Sequence, residues 1–202
     1  MIKAPVLAND EVRVQNLYEL GILDTIDEED FTNITLLAAS VCNTPIALVA
    51  LVDNSREWFK AKVGVSASQV NRDISFCGHG ITNDKDFFQV GDTLKDVRFF
   101  DNPLVVSAPY IRFYAGVQLI NYSGLKMGML CVKDTKPRLL TTEQIFSLRV
   151  LANCVSKLLE LSRLHKVADE KTRKIKLQDL MQERLLSMMA HDANLYQQSR
   201  AK

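Results

Sequence analysis

None of the four cysteines, Cys42, Cys77, Cys131 and Cys154, forms a Cys-x-x-Cys pair, and two of them lie in strongly apolar runs. That argues against a disulfide framework and for reduced, buried thiols, as in a cytoplasmic protein. No two Cys/His pairs show the ligand spacing of structural zinc. Charge of one sign is also missing. Twenty-five Lys and Arg stand against 24 Asp and Glu, a net charge of +1, so no strong field invites nucleic acid or a membrane surface. The longest apolar run, Pro45 to Val52, is far too short to span a bilayer. The N-terminus shows no signal-peptide pattern. Repeats and low-complexity tracts are absent, and no Pro or Gly occurs from Thr141 to Lys202.

What is present suits one domain with a sizeable core and an extension. The chain has 202 residues, 47% of them apolar. Asp10 to Leu20 predicts a short helix that begins on a capping residue and ends at Gly21. From about Asp27 to Cys42, Phe31, Ile34, Leu37, Ala38 and Val41 recur at helical steps. Ile46 to Asp53 is apolar as far as Val52 and carries the β-branched Ile46, Val49 and Val52, as in a central strand covered on both faces. A tight turn at Asn54-Ser55-Arg56 leads into a second strand, Glu57 to Val63, forming a hairpin. Gly64 to Arg72 reads as loop, Ser75 to Thr82 as a helical turn and Asp86 to Val90 as a small strand. Further helical turns are expected at Asp92 to Val97 and Pro103 to Val106. Strands follow at Arg112 to Ile120 and Lys126 to Asp134. Both contain glycine, which weakens a strand unless something packs close to its backbone.

From Thr141 the period becomes helical. Ile145, Leu148, Leu151, Ala152, Val155, Leu158 and Leu159 form one stripe. A charged stretch from Lys166 to Lys176 follows, and apolar positions resume from Leu177 to Met189. So long a helix packed against nothing is marginal, so its second half is expected to pair with another chain.

The stretch Arg72 to Ile81 carries the densest chemistry. It sets Cys77 and His79 two residues apart, a spacing that points both side chains the same way in a strand but not in a helix. The pair fits a nucleophile and base, half a metal site, or a haem or bilin anchor. It equally fits a small buried thiol and a hydrogen-bonded histidine. Trp58 is a pocket wall or core. Arg112, opening a strand beside Tyr114, binds a carboxylate or phosphate, or pairs with Asp73 or Asp101. His191, followed by Asp192, is a phosphoryl acceptor or a helix-surface residue.

Seven blocks in order carry a family resemblance: Leu20 to Thr25, Pro45 to Asp53, Arg56 to Lys60, Ser75 to His79, Asp101 to Val105, Ile111 to Gly116, and Gly128 to Val132. Together they resemble the GAF domains of bacterial sensor proteins, in particular those that precede histidine kinase or diguanylate cyclase modules. The resemblance implies an α+β fold: a central antiparallel sheet of five to six strands with helices on one face, plus a long C-terminal helix. It implies a GAF domain over 1–164 and a helical signalling extension over 165–202. Pocket candidates are Trp58, Phe76, Cys77, His79, Arg112 and Tyr114. The implied role is non-enzymatic: a small ligand is sensed, and its state is relayed through a dimeric helix to a kinase or cyclase partner. Relatives bind varied ligands, so no cofactor or metal is selected. Gly78, between Cys77 and His79, breaks the Cys-His dipeptide usual in bilin-binding members. Leu186 to Asp192 resembles the start of a histidine-kinase phosphoacceptor box, and Ala193 to Gln198 departs from it. A truncated kinase is therefore one reading of the tail. The alternative is a thiol enzyme similar to GAF-type methionine sulfoxide reductases, with Cys77 and Cys131 as nucleophile and resolving thiol.

Overall fold

The computed structural model describes the backbone of residues 1–200, and side chains through residue 185 and at Met188. It falls into two compact units, 1–163 and 164–202.

The first unit is α+β. A six-stranded antiparallel sheet runs β3-β2-β1-β6-β5-β4. Its strands are β1 (Ile46–Val52), β2 (Arg56–Val63), β3 (Gln69–Asn71), β4 (Phe87–Val90), β5 (Phe113–Ile120) and β6 (Lys126–Asp134). Every residue of the central strand β1 is buried, as expected for a strand covered on both sides. The short edge strand β3 lies in the stretch expected to be loop. Its three residues alternate exposed and half-buried, too brief a pattern to register as a strand.

Close packing explains the strand glycines. A Cβ on Gly128 would sit 1.9 Å from the Ala50 carbonyl oxygen, where β1 and β6 pair. On β5, a Cβ at Gly116 would come within 2.8 Å of the Tyr114 hydroxyl.

Alternation along the strands divides the core into two clusters. On one face Ala47, Val49, Leu51, Trp58, Leu130 and Val132 meet three helices: α1 (Asp10–Leu20), α2 (Glu29–Cys42) and the first part of α5 (Thr142–Arg200). Leu148, Ala152, Val155 and Leu159 are the α5 residues buried there, the stripe expected from the sequence. Thr141 and Gln144 exchange hydrogen bonds at the helix start, each side chain accepting from the other's backbone N–H at 3.3 and 3.0 Å. On the other face Ile46, Leu48, Ala50, Phe59, Met129 and Cys131 lie under α3 (Phe76–Thr82), α4 (Pro103–Val106) and their loops.

A buried ion cluster joins the N-terminal segment to the sheet. Arg72 donates to both carboxylate oxygens of Asp10 at 2.7 and 3.0 Å, and Arg13 donates to the same carboxylate at 2.8 Å. Both arginines also reach strand-end carbonyls, Arg13 to Val52 and Arg72 to Asp53. Asp10 therefore does not cap its helix, as the sequence suggested; its oxygens are taken by the two guanidinium groups.

In the second unit, Ile175, Leu177, Leu180, Met181, Leu185 and Met188 are exposed. His191 and the rest of the proposed phosphoacceptor box beyond Met188 lie outside the described side chains. Among the described residues no helix is long and apolar enough to cross a membrane.

Candidate functional site

Helix α3 is fastened at both ends. The Ser75 hydroxyl oxygen accepts from Gly78 N–H at 2.8 Å, capping the helix, and the same hydroxyl donates to Glu57 on β2. At the far end, the Gln118 amide donates to the carbonyls of Gly80 and Asn83, each at 2.9 Å. Asn102 caps α4 by accepting from Leu104 N–H at 2.9 Å, while its amide donates to Ile74 O at 2.9 Å. These polar clamps fix the helical layer above the second face of the sheet.

Beneath α3 lies a fully buried aromatic and thiol layer. Phe76 stacks on Phe99 at 4.4 Å and on Tyr114 at 5.3 Å between ring centroids. The Tyr114 hydroxyl donates to Cys77 Sγ at 3.3 Å, and Cys77 Sγ lies 3.7 Å from Cys131 Sγ. Burial pushes the Cys77 thiol well above its ordinary pKa, and its contact with Cys131 pushes it further the same way. A thiol held protonated and shielded from solvent is a poor nucleophile.

Beside this layer opens a cavity of about 370 Å³, between the β1–β2–β6 face, the loop after β2 and the α4 segment. Ile46, Leu48, Phe59, Leu104 and Ile111 line it, with Val65 and Val70 toward the loop. Lys133 at the end of β6 supplies its cation. The Lys133 ammonium lies 3.6 Å from Glu57 Oε1. It also faces Phe59, Phe76 and Tyr114 at 5.8 to 5.9 Å from the ring centroids. Burial, the largest single influence, lowers the Lys133 pKa, but the Glu57 carboxylate together with the neighbouring Cys131 and Cys77 sulfurs outweighs it, and the net shift is upward.

The cavity is lined by none of the six residues singled out from the sequence. Phe76, Cys77 and Tyr114 belong to the closed layer beside it. Trp58 points to the helix-covered face, and its neighbour Phe59 lines the cavity. Arg112 pairs with neither Asp73 nor Asp101. It donates to the Val105 and Ile111 carbonyls at 2.8 and 3.1 Å, while Lys3 and the chain's amino terminus take the two aspartates. His79 diverges from Cys77 because α3 is helical. Its Nε2 sits 3.0 Å from Ile2 O, its ring meets Phe99 edge-on, and burial lowers its pKa. It borders a separate hollow of about 320 Å³ with Ile2 and Arg98.

Glu57 and Lys133 were the residues missed. The available signal was a charge at an inward-facing step of an apolar strand, since Glu57 shares its face with Phe59.

No family model matches the chain. A curated relative, the cyclic di-GMP phosphodiesterase PA2567 of Pseudomonas aeruginosa, is 41% identical over 138 residues, 68% of this chain. The match spans 23% of that relative's length. Among solved structures, the GAF domain of an Acinetobacter phosphoenolpyruvate-protein phosphotransferase superposes with a TM-score of 0.56 at 16% identity. That match covers 78% of this chain and 98% of the other. The free methionine-R-sulfoxide reductase of Neisseria meningitidis, solved with its substrate, gives a TM-score of 0.55 at 17% identity, covering 82% and 99%. With the six-stranded sheet, its two-sided cover and these superpositions together, the fold of residues 1–163 is the GAF fold.

Proposed function

We propose that the chain is a sensory module of bacterial signal transduction. A small molecule enters the cavity, and its presence is passed through the sheet to α5 and on to an output partner, a kinase or a cyclic-nucleotide enzyme. The observation that carries this reading is the sharing of strands between cavity and helix. Ile46, Leu48 and Lys133 line the cavity, while the adjoining Ala47, Val49 and Val132 pack in the cluster that holds Leu148 and Val155 of α5. Close-packed cores transmit displacement. A ligand acts by binding unequally to two arrangements of that helix. The match to part of a cyclic di-GMP phosphodiesterase supports a place in signalling. The exposed apolar residues from Ile175 to Met188 support a homodimer through the second half of α5. A phosphoacceptor role for His191 belongs to the same reading.

The thiol-enzyme alternative has one favourable feature, the 3.7 Å approach of Cys77 and Cys131. Both thiols are fully buried and outside the cavity lining, which disfavours them as nucleophile and resolving group.

Native mass spectrometry of the full chain, purified from its host, tests the sensory reading. The expected spectrum is a dimer carrying a non-covalent adduct lost on denaturation. A bare monomer would overturn both the ligand and the dimer.

A further inference from the structure

Lys133 carries a buried charge with donors to spare. The residue is 4% exposed and lines the cavity, and among the described residues the carboxylate facing its three N–H donors is Glu57. Its carboxylate partner stands 3.6 Å away, beyond hydrogen-bond length, and Glu57 Oε1 is itself buried without a hydrogen-bond partner. Buried donors left unfilled cost free energy that a bound acceptor would recover. The remaining cavity wall is mostly aliphatic and aromatic carbon, with Ser66 on the loop side, so the body of an occupant is largely apolar. At about 370 Å³ the space falls at the small end of ligand cavities, which run from about 300 to 1,000 Å³.

Charge selects further. Glu57 and Lys133 already neutralise each other, and Glu57 is fully buried. A carboxylate ligand would bring a second negative charge into this enclosure with a single cation to serve both. An uncharged acceptor completes the ammonium without adding charge.

We propose that the cavity binds a small, uncharged, largely apolar molecule bearing one carbonyl oxygen, such as a ketone, lactone or amide, and that Lys133 Nζ donates to that oxygen. This rests on the sensory reading for the cavity being a ligand site, and it names the ligand's chemical class. Beside Glu57 and with its pKa shifted upward, the amine stays protonated, so Lys133 is a donor here and not a nucleophile, and the complex is non-covalent.

Three probes of similar shape test it on the full chain by NMR titration: cyclohexanone, methylcyclohexane and cyclohexanecarboxylate. Cyclohexanone is expected to bind at least about tenfold more tightly than methylcyclohexane, the scale of a hydrogen bond to a charged group, with the carboxylate weaker than the ketone. In the double variant Glu57→Gln with Lys133→Met, which removes both charges together, the ketone's advantage is expected to fall to about onefold while hydrocarbon binding persists. The native protein supplies a second readout that does not depend on the variant's folding. The Lys133 ε-methylene signal should move with cyclohexanone and stay with methylcyclohexane. Equal affinity for ketone and hydrocarbon would overturn the Lys133 assignment and leave the cavity as a ligand site. Tightest binding by the carboxylate would overturn the uncharged class. No binding by any probe would overturn the sensory reading of the cavity together with this one.

Discussion

The two faces of the sheet are cut from the same strands and solve different problems. On the helix-covered face, β1, β5 and β6 present Val49, Ala115, Val117, Leu130 and Val132 to the apolar sides of α1, α2 and α5. On the other face the same strands carry Cys131, Tyr114 and Lys133, with Glu57 from β2, and leave a cavity. The helix-covered face also buries a cation, but Lys60 there is filled by the Thr25 hydroxyl, the Ile26 carbonyl and Glu28. The cavity face holds the Lys133–Glu57 pair at 3.6 Å, with Glu57 Oε1 lacking a hydrogen-bond partner, an arrangement that costs stability.

Breaking the strands they share should damage both faces at once. Gly128→Ala is expected to be the most severe change, because its Cβ would overlap the Ala50 carbonyl in β1. A loss above about 4 kcal/mol is expected, read as failure to give a cooperative thermal transition. An unchanged melting temperature would contradict the β1–β6 register.

Next in size is the cavity-side ion pair. Glu57→Ala leaves Lys133 buried and uncompensated and should cost about 3–5 kcal/mol in chemical denaturation. The double variant Glu57→Gln with Lys133→Met should recover most of that loss, since it removes the charge from both partners.

Matched leucine truncations sharpen the contrast between faces. Leu148 is fully buried on the helix side, whereas Leu104 is half-buried at the cavity wall. Leu148→Ala should cost about 2–5 kcal/mol and Leu104→Ala under about 1 kcal/mol, because its surroundings already open onto space. Equal losses would mean that the cavity face is as tightly packed as the other.

Acid probes the ion cluster at the end of the sheet. Burial alone would raise the Asp10 pKa, but hydrogen bonds from Arg72 and Arg13 win and hold it below its ordinary value of 3.8. Its stabilisation is therefore complete above about pH 4 and is lost as pH falls through the lower folded-state value. Asp10→Asn should lower stability at neutral pH and flatten the acid limb below about pH 4, as followed by urea midpoints.

The smallest effect concerns the thiols. Cys154 is exposed, while Cys42, Cys77 and Cys131 are buried. Burial raises Cys42 to about 11. One fast-reacting thiol in the native protein is expected, and Cys154→Ser should abolish it with a stability change within about 0.5 kcal/mol.

Legibility in the sequence followed the same division. The helix face was readable because its pattern is apolar and periodic. The Leu148–Val155 stripe, the fully buried β1 and the GAF-type order of blocks are strong local signals. The cavity face was not, because its content depends on which neighbours converge. Trp58 and Phe59 are adjacent in sequence and end on opposite faces, a choice fixed by strand register and not by residue type. His79 and Cys77 stood out chemically, yet the helical turn of α3 separates them. Glu57 and Lys133 lie on β2 and β6, far apart in sequence, so nothing local announces the pair.

The central claim is that occupancy of the cavity is felt by α5 through the strands they share. Hydrogen–deuterium exchange of the full chain, with and without saturating cyclohexanone, tests it most directly. The account predicts slower exchange in residues 64–70 and 104–111 around the cavity and altered exchange in residues 148–159 of α5. Protection confined to the cavity loops, with α5 unchanged, would contradict the relay.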